Sequence, residues 1–204
     1  MHVLVGVAAA LGASVRVQLL WHGEGLDRLL DSGHANLTEE MLKRLWSLGW
    51  EAATEVSFNI RGERGTIDIL AFHPPTGSLL VIEVKTVVPD LQAMLGVLDR
   101  KTRLAADIAR ERGWLVRSVS RLLVLPDDRT ARRRVQQHAA TFGATLPART
   151  VEVRRWLNTP SGRLAGLLFL TNDHQAGTRH RIAGPRRVGD RGARAPARER
   201  AGRA

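Results

Sequence analysis

Between residues 36 and 171 the apolar positions recur with two periods, and the switches between them lay out the elements. Met41, Leu42, Leu45 and Leu48 have the spacing of one helical face, behind a capping Asn36 or Thr38 and ahead of Gly49. Thr54–Ile60 and Thr66–Phe72 have strand composition and are joined by the polar turn Arg61-Gly62-Glu63-Arg64-Gly65. A turn over His73–Ser78, carrying Pro74, Pro75 and Gly77, leads into a third strand at Leu79–Thr86. Pro89 opens a long helix whose Leu91, Leu95, Leu98, Thr102, Ala105 and Ala109 share a face, stopping near Gly113. A strand at Arg121–Leu125, a helix from Thr130 to Phe142, a short helix near Arg154–Leu157 and a last strand at Leu164–Leu170 follow. The order α-β-β-β-α-β plus additions predicts an α/β fold built on a mixed central sheet.

The flanks read differently. Residues 1–35 predict an N-terminal extension, with a strand at Val15–Trp21, a turn at Gly23 and Gly25, and a short helix around Leu26–Leu30. Residues 172–204 are mostly Ala, Gly, Arg and Pro without apolar periodicity, the composition of a disordered tail. Charge sharpens this division. Of the formal +11, nine arginines against Asp173, Asp190 and Glu199 place +6 on the tail and leave +5 on the preceding 171 residues. A basic balance favours polyanionic partners, nucleic acid first among them. With no cysteine, disulfides and thiolate metal sites are excluded. Val3–Ala13 is too short to span a bilayer and has no basic segment before it, so a cytoplasmic chain with no membrane partner is expected.

Candidate chemistry lies in the second and third strands. The third reads Leu79-Leu80-Val81-Ile82-Glu83-Val84-Lys85, and alternation puts Glu83 and Lys85 on one face with Ile82 and Val84 on the other. An acid and a base in so apolar a strand are costly to bury without partners or a metal. The second strand carries a lone carboxylate, Asp68, within Ile67-Asp68-Ile69-Leu70-Ala71. If the strands form a meander, Asp68 and Glu83 converge, and two converging carboxylates call for a hard divalent cation such as Mg²⁺. Lysine usage adds weight: the chain has 28 arginines and three lysines, Lys43, Lys85 and Lys101, yet places a lysine beside the acid. A compact ammonium can hold and polarise an attacking water better than a planar guanidinium.

Gly65-Thr66-Ile67-Asp68-Ile69-Leu70-Ala71 followed by Val81-Ile82-Glu83-Val84-Lys85-Thr86 resembles the PD-(D/E)XK superfamily of restriction-endonuclease-like nucleases. The helix ending Ser47-Leu48-Gly49-Trp50 is similar to the first helix of its small Holliday-junction-resolvase-like members. A closer resemblance, through Glu55-Val56-Ser57-Phe58, Gly62-Glu63-Arg64-Gly65 and Leu98-Asp99-Arg100-Lys101, is to a nuclease-like domain attached to XRE-type helix-turn-helix regulators. Only about 35 residues precede the domain here, too few for the usual helix-turn-helix bundle, which leaves a truncated regulator and a stand-alone relative both open.

The resemblance implies a Mg²⁺-dependent DNA endonuclease, with Mn²⁺ as a substitute. Asp68, Glu83 and the Val84 carbonyl would hold the metal, and Lys85 would orient the attacking water. The first helix of such proteins usually adds an acid, and a helical wheel placing Glu39 beside Leu42 and Trp46 selects Glu39 over Glu40. Gln92 stands where related nucleases use a glutamine at the site, and Arg100, Lys101 and Arg103 are candidates for phosphate contacts. Arg132, Arg133 and Arg134 form a second basic face, and Glu55, Glu63 and Arg64 are candidates for the rim. A homodimer is compatible with two strands needing two sites. The alternative function is a non-catalytic DNA-binding module of a transcription regulator, since a fold does not dictate an activity. The seven histidines show no metal-ligand spacing, and no phosphate-binding glycine loop is present.

Overall fold

Over residues 24–88 and 90–171, which the computed structural model describes, ten elements follow one another. They are α1 (Glu24–Ser47), β1 (Glu51–Ile60), β2 (Glu63–His73), β3 (Ser78–Val84), α2 (Leu91–Arg110), β4 (Ser118–Pro126), α3 (Arg129–Gln137), α4 (Ala139–Thr145), α5 (Thr150–Asn158) and β5 (Ala165–Leu170). The expected strand at Val15–Trp21, Pro89 and the tail from Asn172 lie outside the described residues. The fold is mixed α/β around a five-stranded sheet in the order β1-β2-β3-β4-β5. β1, β2 and β3 form an antiparallel meander, whereas β4 and β5 run parallel to β3 through helical crossovers. Among the described residues no helix is long and apolar enough to cross a membrane.

β3 is buried at all seven positions, which explains its unbroken apolar run. One face of the sheet carries Leu70, Leu79, Val81, Leu123 and Leu167 under α2, α3 and α4, through Leu98, Leu104, Ile108, Val135 and Phe142. The other carries Ile69, Leu80, Ile82, Val84 and Leu168 under α1 and α5, through Leu37, Met41, Leu45, Val153, Trp156 and Leu157. Trp50 closes that second layer, its indole N–H donating to the Leu157 carbonyl at 3.0 Å.

Several boundaries differ from the sequence reading. α1 begins at Glu24, so Asn36 and Thr38 are interior residues and the expected division at residue 35 falls inside one continuous helix. The helix expected from Thr130 to Phe142 is two helices bent at His138. A straight helix from Ala131 to Leu146 would run about 22 Å, whereas the bend keeps Ala131, Val135, Phe142 and Leu146 on one core. Asp90 caps α2, its carboxylate accepting from the Gln92 and Ala93 amides at 2.9 and 3.1 Å.

The β1–β2 hairpin turns through Arg61 and Gly62, both at positive φ (51° and 83°), as a two-residue turn of this hand requires. Farther along, Glu55 also has positive φ, 48°, and the pairing skips it: Thr54 faces Ile69 and Val56 faces Ile67. Glu55 therefore stands opposite Asp68. The alternation slips there too, because Ala53 and Val56 pack on the same face, as do Ile67 and Leu70. The hairpin thus bends at the row of Asp68, at the cost of a strained residue. Glu55→Gly is expected to raise unfolding free energy by about 0.5–1 kcal/mol despite the usual penalty for glycine in a strand, and Glu55→Val to lower it by about 1 kcal/mol. Urea denaturation of the two variants checks this; a destabilised glycine variant would remove the strain argument.

Candidate functional site

The β2–β3 ladder runs from His73–Ser78 to Ile69–Ile82 and stops. The next opposed pair would be Asp68 and Glu83. β2 continues along β1 while β3 continues along β4, with the Lys85 amide donating to the Val124 carbonyl at 3.0 Å. The two strands therefore fork at this row. Inside the fork the Val84 amide, which has left the ladder, donates instead to Asp68 Oδ2 at 2.8 Å. Opposed residues of an antiparallel pair share a face, so Asp68 and Glu83 both point toward α2.

Lys85, two residues beyond Glu83, lies on the same face, and its ammonium is 2.7 Å from Glu83 Oε1. The other Glu83 oxygen, Oε2, accepts from the ammonium of Lys101 on α2. That same nitrogen is 3.6 Å from Asp68 Oδ1. Two carboxylates are thus balanced by two lysines, three of the four groups being buried. The Glu83 and Lys101 side chains are 3 % and 7 % exposed, and only Lys85, at 33 %, opens toward solvent. Burying such charges is tolerable only because each meets an opposite charge at contact distance.

The fork thus brings together Asp68, Glu83, Val84 and Lys85, as the sequence suggests, but Glu39 stays away. It is 57 % exposed and pairs with Lys43 at 2.7 Å one turn along α1. The helix buries Leu37, Met41 and Leu45, whereas Trp46 is exposed, and Glu39 lies about 160° round the helix from Leu37. α1 also covers the face of Ile82 and Val84, opposite to that of Glu83, and its Gly33 sits against Thr86 there. Glu55, facing Asp68 from the edge strand, is exposed.

The expected phosphate contacts divide. Lys101 is withdrawn from any phosphate, because the buried stripe of α2 runs through Leu91, Met94, Leu98, Lys101, Leu104 and Ile108 and carries it into the cluster. Leu95 and Thr102, taken as part of that stripe in sequence, are only partly buried. The signal for Lys101 was available: a rare lysine at an i+3 position in the run Met94, Leu98, Lys101, Leu104. Arg103 is exposed and forks onto both oxygens of Glu63, at 2.9 and 3.0 Å. Gln92 is exposed at the start of α2. Arg100 is half-buried, its Nε without a hydrogen-bond partner. A cleft of about 360 Å³ beside Ile60, Arg61, Asp107, Arg110 and Glu111 is lined by none of the cluster residues.

Asp68 and Glu83 are the oxygen donors that this cluster would offer a hard divalent cation. Asp68 Oδ1 and Glu83 Oε2, from neighbouring strands, already converge on a single positive charge. Among the described residues no group of three or more His, Cys, Asp or Glu gathers, so main-chain carbonyls such as that of Val84, and water, would complete the shell. Comparison with protein-family models gives no match, and comparison with curated proteins gives none.

Glu83→Ala leaves two ammonium groups without their shared anion and is expected to cost about 3–5 kcal/mol. Glu39→Ala is expected to stay within about 0.5 kcal/mol of the wild type. Chemical denaturation measures both, and equal effects at the two positions would contradict the cluster as described.

Proposed function

We propose that the protein is a metal-dependent phosphodiester hydrolase, a DNA endonuclease of the PD-(D/E)XK type, with Asp68, Glu83 and Lys85 at its reactive centre. The observation that carries this reading is the fork between β2 and β3, where two cross-strand carboxylates from an apolar sheet face one cation. The element order α1-β1-β2-β3-α2-β4, with the acids on the second and third strands, supports a restriction-endonuclease-like core. The basic balance supports a polyanionic substrate.

In this reading Asp68 and Glu83 provide the ligand oxygens, and the Val84 amide fixes the Asp68 carboxylate through its other oxygen. A divalent ion held there supplies Lewis-acid activation and offsets the charge that develops on the phosphate. Lys85 stands at the solvent side with its ammonium anchored by Glu83. Its remaining donors are free to hold a water or a phosphate oxygen in line for attack.

A second reading is favoured by a specific observation: two lysines already neutralise the two carboxylates. The cluster would then be a structural clamp joining β2, β3 and α2 in a nuclease-like domain that binds DNA without cutting it. Scission separates the readings. With Mg²⁺ or Mn²⁺, the wild type is expected to cut plasmid or oligonucleotide DNA. Asp68→Asn and Lys85→Ala, chosen because neither empties the buried Glu83 position, are expected to lower the rate at least about 100-fold while remaining folded. Cleavage that survives both changes would sink the catalytic assignment, retarded but uncut DNA would establish the second reading, and an RNA arm tests the polymer.

A further inference from the structure

The Lys101 ammonium faces Asp68 Oδ1 and Glu83 Oε2, oxygens of the two carboxylates that would hold a divalent ion. It reaches them from the buried stripe of α2, between Leu98 and Leu104, and its side chain is almost closed to solvent. The cluster is therefore neutral as it stands, with Asp68 and Glu83 against Lys85 and Lys101. Adding a divalent ion while Lys101 kept its contacts would place three positive charges around the same two oxygens in a poorly hydrated site. Like charges a few ångströms apart in so enclosed a site are poorly screened by water.

We propose that Lys101 is a built-in cation that keeps the metal position closed, so that the ion and the Lys101 contacts exclude each other. The proposal rests on the metal-dependent reading above and adds the regulation of its site. A lysine suits this task because its charge is carried on a flexible four-carbon stem that can swing without moving the helix. The way out is on the side of Lys85, the one member of the cluster that opens to solvent. Ion binding then has to release an ammonium toward water, and the affinity for the free ion is lowered by the free energy of that release. Removing the Lys101 charge removes the competitor.

The chain has only three lysines, Lys43, Lys85 and Lys101, so amine reactivity can be followed site by site on the full-length wild type. Reductive methylation read by mass spectrometry is expected to modify exposed Lys43 at a constant rate. Lys101 should react slowly in chelator and about 5- to 150-fold faster in saturating Mn²⁺, the range of ordinary coupling between two sites. In titration calorimetry Lys101→Met should bind Mn²⁺ more tightly than the wild type by a similar factor, and Asp68→Asn should abolish both effects. Lys101 that stays protected in saturating Mn²⁺ would overturn the proposal while leaving a metal site in place, as would equal affinities in wild type and Lys101→Met. Absence of Mn²⁺ binding in wild type and Lys101→Met alike would overturn the metal-dependent reading together with it. Should Lys101→Met fail to fold, the wild-type labelling decides alone.

Discussion

A carboxylate on a strand that is covered on both faces must be neutralised where it stands, and Glu83, next to the end of β3, is such a carboxylate. Each of its oxygens is taken by a lysine, one just past the end of its own strand and one from the helix of the next crossover. Because Lys101 also approaches Asp68, these charges join β2, β3 and α2 at one point. α2 therefore packs with a particular phase on the sheet, with Leu98 and Leu104 flanking the lysine in the apolar layer. Replacing one charge alone leaves its partners stranded, which is why such a cluster specifies an arrangement more than it adds stability.

The same row of the sheet concentrates every departure from regular pairing in the meander. On one side of Asp68 the ladder to β1 skips Glu55, whose backbone is left-handed, and on the other side the ladder to β3 has ended. The Asp68 carboxylate takes over the Val84 amide that the ladder no longer serves. A fork of this kind opens polar space inside an otherwise continuous apolar sheet without leaving a buried backbone donor unpaired. It also explains how a fold this apolar at its centre can present carboxylates to a cation at all.

Charge balance connects the two functional readings to each other. A cluster neutralised by its own lysines is a sound structural clamp, and under the metal-dependent proposal it would become a metal site only when one cation yields to another. Lys85 and Lys101 differ in the way this requires: Lys85 faces outward and is suited to meet a phosphate, whereas Lys101 is enclosed and suited to stand in for an ion. Glu63 and Arg103, paired at the surface between the β1–β2 hairpin and α2, hold the bent hairpin against the same helix.

Much of this was legible in the sequence. Periodicity alone yields the α-β-β-β-α-β order, since burial on two faces leaves continuous apolar runs in β3 and β4 while helices keep their three-and-four spacing. Asp68, Glu83 and Lys85 stood out because charges in such runs are expensive and must be there for a reason. What only the tertiary structure decided is which face each helix covers and with what phase. α1 lies over Ile82 and Val84 and turns Glu39 to solvent, so an acid chosen from a helical wheel could not reach a cluster on the opposite side of the sheet. α2 is rotated so that Met94, Leu98 and Leu104 are buried with Lys101 among them, and a residue that reads as one more surface cation becomes the counter-charge of the site. Local spacing sets which residues share a face, but the direction of that face is settled by the packing of distant elements against it, and the burial of Lys101 is decided there.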